Sequence, residues 1–246
     1  MQLNDENHAV ITEKVKHFWG QRMGDIAYIY VPSGFAYSEE ELKNKIIEGR
    51  KVINSLDLET ASGVILDFRL NTGGNYVPMM MSLAKIITPG ILFRYSDGET
   101  ISLSEDGNSL TELTSEGTKE ILYQIDYLPP VNRVNLPMVI LVDEGTASSG
   151  AITAFSLKEN SSTTLLLGER TSPTLSANAS LELNDGNYFN LMILRILSPN
   201  GVEQPLYLDV DKKLEHNFYS MFKPNDESIQ VAIDLLTNGT TRNSSF

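Results

Sequence analysis

Apolar residues along the chain fall into short continuous runs, helical stripes and alternating pairs of runs. Residues 25–32 (DIAYIYVP) are rich in Tyr, Ile and Val and predict a strand. Residues 63–68 (GVILDF) and 137–142 (PMVILV) are unbroken apolar runs of strand length, the pattern of central strands buried on both faces. Residues 163–167 predict a further strand. Between these runs the period changes. Ser38-Glu39-Glu40-Glu41 is a capping box that opens a helix with apolar positions at Leu42, Ile46, Ile53 and Leu56. After the loop Asn71-Thr72-Gly73-Gly74-Asn75, Pro78 stands where a first helical turn tolerates it, and MMMSLAKII continues as helix. Thr146-Ala147-Ser148-Ser149-Gly150 leads into a helix over AITAFSLKE, and 229–236 predicts a short helix ended by Asn238-Gly239. Hairpins are predicted around Asp97-Gly98 (92–95 with 100–103) and around Asn184-Asp185-Gly186 (181–183 with 188–194). Residues 1–24 are mixed and polar. Residues 105–135 are irregular, with weak strand character at 121–127, and form the best candidate for a flap or insertion. Strands alternating with helices predict an α/β fold in one domain.

Composition narrows the function. The 246 residues carry a net charge of −13. That balance argues against nucleic acid, which needs clustered Lys and Arg, and against an anionic membrane surface, while it permits cationic partners. No apolar run reaches the ~18 residues of a membrane span. The first residues, MQLNDENHAV, have neither the basic nor the apolar region of a signal peptide. The chain has no cysteine, which removes disulfides, thiolate metal sites and a cysteine nucleophile. With three histidines (His8, His17 and His216), no metal site and no cofactor are expected.

Two segments share one grammar: buried strand, tight turn of small residues, helix N-terminus. They are ILDFRLNTGGN (65–75) and VILVDEGTASSGAI (139–152). A helix N-terminus presents unpaired backbone N–H groups and the positive end of the helix dipole. A serine at such a turn can act as nucleophile, and adjacent glycines let a second amide point at the same place. The bland readings are an N-cap string and an ordinary Gly-Gly turn. Neither segment is a phosphate-binding P-loop or a dinucleotide fingerprint.

The first segment resembles the "LDLRNNxGG" segment of the S41 serine peptidases, which include C-terminal processing proteases, the tricorn core and nisin-resistance proteins. PMVILVDEGTASSGAI resembles the nucleophile segment of that family, and Gly168-Glu169-Arg170-Thr171 resembles the "GExT" that follows it. NTGGNYVPMMMSLAKII and LNDGNYFNLM are most similar to the nisin-resistance branch. The resemblance covers about residues 25–210. It implies a crotonase/ClpP-like core over 25–246 without a PDZ domain, preceded by a segment, 1–24, that carries a candidate base. It implies Ser148 as nucleophile, with oxyanion donors from the Ser149 amide and from the Gly73-Gly74 segment, Gly74 being preferred. The lysine base of the processing-protease branch is missing from 172–178 (SPTLSAN), and Tyr30 stands where the tricorn-like branch has its histidine. The nisin-resistance branch uses a histidine upstream of the "YIxxP" strand. That implies His8, with His17 as competitor. Ala151 replaces a glutamate common in relatives, Ala9 a serine and Pro173 a glycine.

The implied activity is a serine endopeptidase cutting peptides or proteins near their C-termini by a Ser–His mechanism. Cationic antimicrobial peptides are one substrate class. The implied location is extracellular or at the cell envelope, with the cytoplasm as alternative. Two other readings stand beside it: a catalytically impaired peptide-binding module, motivated by Ala151, and a crotonase-fold acyl-CoA enzyme.

Overall fold

The computed structural model describes residues 5–215 and 217–238, with residues 5–8 described by backbone alone. One six-stranded sheet is built from β1 (Trp19–Met23), β2 (Ile26–Tyr30), β3 (Gly63–Asp67), β8 (Met138–Val142), β9 (Thr164–Gly168) and β12 (Lys212–Lys213), in that spatial order. Only β1 runs antiparallel to its neighbour. The parallel strands β2, β3 and β8 are buried along their whole length, which is why their sequences read as unbroken apolar runs. Their side chains alternate between two cores. Ala27, Ile29, Val64, Leu66, Met138, Ile140 and Val142 enter one. Ile26, Tyr28, Tyr30, Ile65, Val139 and Leu141 enter the other.

The first core is closed by α2 (Glu39–Ser55), α3 (Tyr76–Ser82), α4 (Ser148–Glu159) and a second sheet. The second is closed by α1 (Asp5–Lys14), through Ile11, and by α5 (Glu227–Thr237), through Ile229 and Ala232. At the start of α2, Ser38 Oγ accepts the Glu41 N–H at 3.2 Å. The Glu41 carboxylate reaches one residue further back than the usual box and accepts the Tyr37 N–H at 2.7 Å.

The second sheet is antiparallel, in the order β10 (Ser176–Glu182), β11 (Tyr188–Leu197), β4 (Gly90–Tyr95), β5 (Thr100–Leu103), β6 (Ser109–Leu113), β7 (Lys119–Gln124). Both predicted hairpins are present, as β4–β5 and β10–β11. Residues 105–135 differ from their irregular reading, because β6 and β7 pair from Ser109↔Gln124 to Leu113↔Lys119. β7 lies almost wholly exposed at a sheet edge, so no burial pattern marks it in the sequence. Residues 1–24 also hold elements that their composition hides. α1 has polar residues around nearly its whole circumference, and β1 exists through its register with β2, from Trp19↔Tyr30 to Met23↔Ile26.

Candidate active site

The two strand–turn–helix corners lie against each other at the C-terminal edge of the parallel sheet. At the first corner, Leu70 turns the chain at φ 62° and delivers Asn71 into a fully buried position. Asn71 Nδ2 donates to the carbonyls of Val31 (3.0 Å) and Pro32 (3.1 Å). Asn71 Oδ1 accepts the Gly73 N–H at 3.0 Å, and its backbone carbonyl accepts the Ala147 N–H at 2.9 Å. One residue thus ties the end of β2 to both corners. Gly73 and Gly74 have φ of 100° and 101°, a region that side chains with a Cβ rarely adopt. Space is equally restrictive. A Cβ on Gly73 would lie 2.7 Å from Ser148 Cβ and 3.1 Å from Ser149 N, and one on Gly74 would lie 2.7 Å from Phe35 N.

The second corner is braced by Asp143. Its carboxylate accepts the Leu70 N–H at 3.1 Å, and Thr146 Oγ1 lies 3.0 Å from it and 2.9 Å from the Phe68 carbonyl. Ser148 then opens α4 at φ 47°. For an L-residue that conformation costs roughly 1–2 kcal/mol. Its N–H donates to Thr174 Oγ1 at 2.9 Å. Its hydroxyl is half-buried and makes no hydrogen bond among the described residues. The Ser149 N–H lies in the first turn of α4, where no intrahelical acceptor exists, and the Gly74 N–H is likewise without a partner among the described residues. Ser149 Oγ is committed elsewhere, donating to the Gly74 carbonyl at 2.6 Å.

Ser148, Ser149, Gly73 and Gly74 are therefore brought together. The candidate bases are not equally visible. His8 falls within α1, but its side chain lies outside the described residues, as does His216. His17 is exposed, with Nδ1 3.1 Å from Glu48 Oε1 and Nε2 3.8 Å from Glu13. Among the described residues no imidazole, lysine or carboxylate hydrogen-bonds to the Ser148 hydroxyl. Ala151 is fully buried in the apolar core one turn into α4, and Pro173 is exposed. Among the described residues no group of His, Cys, Asp or Glu is placed to hold a metal ion, and no helix is long and apolar enough to cross a membrane.

A groove leads away from this junction. A cavity of about 540 Å³ is lined by Phe35, Tyr37, Gly74, Tyr76, Val77 and Ser149, among others. A second of about 600 Å³ shares Ala36, Tyr37 and Leu122 with the first and extends past Ile121 to Gln124 and Glu39. Tyr76 packs edge-on against Phe93 with ring centroids 5.6 Å apart. Burial pushes the hydroxyl of Tyr76 well above its ordinary range, and that of its neighbour Tyr95 up to about 12. Both are neutral at neutral pH.

Behind the first corner sits a buried ionic cluster. Arg69 Nη2 lies 2.6 Å from Asp67 Oδ2 and 2.8 Å from Asp226 Oδ2, with all three residues at most 2% exposed. Burial opposes the Arg69 charge, but the two carboxylates outweigh it and hold the guanidinium firmly protonated. Tyr28 donates its hydroxyl to Asp67 at 2.7 Å, and Asp226 caps α5 by accepting the Ser228 N–H. The sequence pairs Asp67 with Arg69 by proximity. The sequence does not mark Asp226, which the fold makes the N-cap of α5, and it shows Asn71 only as the residue two before the glycines. Nothing in the sequence marks Thr174.

This fold is that of the S41 peptidases, and residues 25–207 match the model of peptidase family S41. The chain belongs to that family. It is 27% identical over 212 residues to a carboxyl-terminal-processing protease of Synechocystis sp., spanning 80% of this chain and 42% of that protein. It is 31% identical over 134 residues to the nisin-resistance protein of Lactococcus lactis, spanning 54% of this chain and 40% of that one. The match thus covers less than half the length of either relative. Among solved structures, a lipoprotein of Streptococcus agalactiae superposes with a TM-score of 0.63 at 22% identity, over 96% of this chain and 74% of that one.

Proposed function

We propose that this chain is a serine peptidase acting through Ser148. The observation that supports it most is the junction of the corners: a serine at φ 47° on the first residue of α4, beside the N–H groups of Gly74 and Ser149, which have no partner among the described residues. In this reading Ser148 Oγ attacks the scissile carbonyl carbon, and the developing oxyanion takes those two N–H groups, helped by the positive end of α4. The Gly73 amide, engaged by Asn71, positions the loop instead. His8, supplied by residues 1–24 ahead of the 25–246 core, takes the Ser148 proton and returns it to the leaving amine. Water then hydrolyses the acyl-enzyme by the same route.

The substrate is a peptide lying along the groove from Tyr76 to Ile121, cut near its C-terminus. The names of the relatives, C-terminal processing and nisin resistance, support that class. The net charge of −13, with Glu39 at the far end of the groove, suits a cationic antimicrobial peptide.

A second reading, a peptide-binding module without turnover, is favoured by Ala151, which places an apolar methyl in the core where the family resemblance implies a glutamate. A serine-directed fluorophosphonate separates the two. Stoichiometric labelling mapped to Ser148, absent in Ser148→Ala, supports the peptidase. A folded chain that binds peptide but never labels supports the module. His8→Ala should lower kcat/KM about 10²–10⁴-fold. The wild-type value should fall as pH drops through about 6.5, the pKa of an unperturbed histidine. Equal activity with and without His8 would remove it from the mechanism.

A further inference from the structure

A third cavity, of about 310 Å³, opens between α2 and the arm (residues 125–134) that returns from β7, and no residue that lines it lines the groove. Its wall is apolar, from Ile53 on α2 and from Leu128 and Pro129 on the arm. Three cations line it, Arg50, Lys51 and Lys85, and no carboxylate does. In a chain with 32 acidic residues against 19 basic ones, that local balance is reversed. The cations are unequally compensated. Arg50 is 7% exposed, and its guanidinium donates to the Met81 carbonyl at 3.0 Å, to Asn108 Oδ1 at 2.7 Å and to the Gly107 carbonyl. All three acceptors are neutral. Burial lowers the Arg50 pKa from its ordinary value, and Asp106 opposes that only in part. Lys85, 9% exposed, pairs with Glu59 at 2.7 Å. Lys51 is exposed and has no ion pair among the described residues. A buried cation held by neutral acceptors alone carries a desolvation cost that an anion beside it offsets.

We infer that this cavity binds a small organic anion: a carboxylate facing Lys51, Lys85 and Arg50, on an apolar body that lies against Ile53, Leu128 and Pro129. A mostly apolar lining with a few placed charges is the usual make-up of a small-molecule site. At roughly 30 Å³ per water, the cavity holds about ten water volumes, which suits an acid of about ten non-hydrogen atoms. An inorganic anion would leave the apolar wall unused, and a cation would be repelled. The position of the site gives binding a consequence. Asn108, which accepts from Arg50, donates to the Leu128 carbonyl at 2.8 Å. The Val134 N–H donates to the Lys85 carbonyl at 3.0 Å, and Lys43 Nζ lies 4.6 Å from the centre of the Tyr127 ring. The arm so tied continues from β7, whose Leu122 walls the groove. An anion seated between arm and α2 clamps the two together and steadies that wall from behind.

Sodium octanoate, a carboxylate of about ten non-hydrogen atoms, is the probe, and calorimetric titration of the full chain is the readout. Octanoate should bind one to one with a Kd of about 0.1–1 mM, ordinary for a ligand of that size. Octylamine, the same body with the opposite charge, should not bind, and neither should acetate, the head without the body. Lys51→Glu should weaken octanoate by about tenfold or more, and Leu128→Ala by about three- to fivefold. Lys51 is exposed, and Lys51→Gln gives a milder form of the same loss should the charge reversal fail to fold. Octanoate should also slow amide hydrogen exchange across residues 119–132. No saturable binding up to about 10 mM, well beyond the expected Kd, overturns the proposal. So does octylamine or sulfate binding as tightly as octanoate, or octanoate binding that is indifferent to the substitutions. Binding with unchanged exchange across 119–132 overturns the clamp. None of these readouts needs turnover, so they stand apart from the test of Ser148.

Discussion

The two strand-to-helix corners follow one plan and part at the point where they touch. At the first, the residues with positive φ nearest the junction are Gly73 and Gly74; at the second it is Ser148. The first corner contributes only backbone to the junction, so glycine supplies the conformation at no steric cost. The second must place a side chain there, and it holds a serine in a left-handed conformation that a glycine would adopt more easily. Strain of this kind persists where surrounding structure over-determines it. Here the Thr174 hydroxyl, the Asp143–Thr146 brace and the buried start of α4 do so.

Substitutions at four positions test that contrast. Gly74→Ala should have the largest effect. A Cβ there meets the Phe35 backbone, so the loop and its N–H must shift. Losing one oxyanion donor costs about 10²–10³-fold in kcat, and a kcat at the wild-type level would show that the close approach is dispensable. Next is Asn71→Ala, which strands two buried carbonyls and an amide. Urea denaturation should report a loss of about 2–3 kcal/mol, and a midpoint within error of wild type would remove Asn71 as the tie between corners. Ser149→Ala keeps the backbone amide but releases the Gly74 carbonyl. One hydrogen bond of about 1 kcal/mol predicts a roughly fivefold drop in kcat, so Ser149→Thr, which retains a hydroxyl, should lose less than the alanine variant. Smallest on stability, and set apart because the nucleophile itself is gone, is Ser148→Gly: inactive, but more stable by about 0.5–1 kcal/mol once the entropy of glycine is deducted. A thermal midpoint below that of wild type would show that φ 47° carries no strain.

The contrast also explains what the sequence discloses. Strands such as GVILDF are legible because burial on both faces writes itself as an unbroken apolar run. The capping box at Ser38 is legible because its chemistry is local. β1 and β7 are not, since each becomes a strand only through its partner, β1 being no more than half-buried and β7 almost wholly exposed. Within the site, the Gly-Gly and Ser-Ser pairs stand out as turn chemistry. The hold of Thr174 on Ser148 spans 26 residues, and Asn71 reaches back 40 to Val31. Contacts of that span leave no periodicity to read. The reversed orientation of Ser149, whose hydroxyl serves Gly74, depends on the same long-range approach.

The salt-bridged cluster behind the first corner sets an order of events during synthesis. Arg69 is made 157 residues before Asp226, the carboxylate that completes its pairing. At ordinary translation speeds that gap lasts roughly 8–30 s. Through it, a buried guanidinium would lack one of its two counter-charges, and breaking such a pair costs about 3–5 kcal/mol. The loop that follows Arg69, through Leu70 and Asn71 to the glycines, is thereby kept from settling while the ribosome is still at work. A nascent chain has the serine and both glycines long before it has the means to lock them in register. α5, which carries Asp226 at its cap, is the helix that closes the latch.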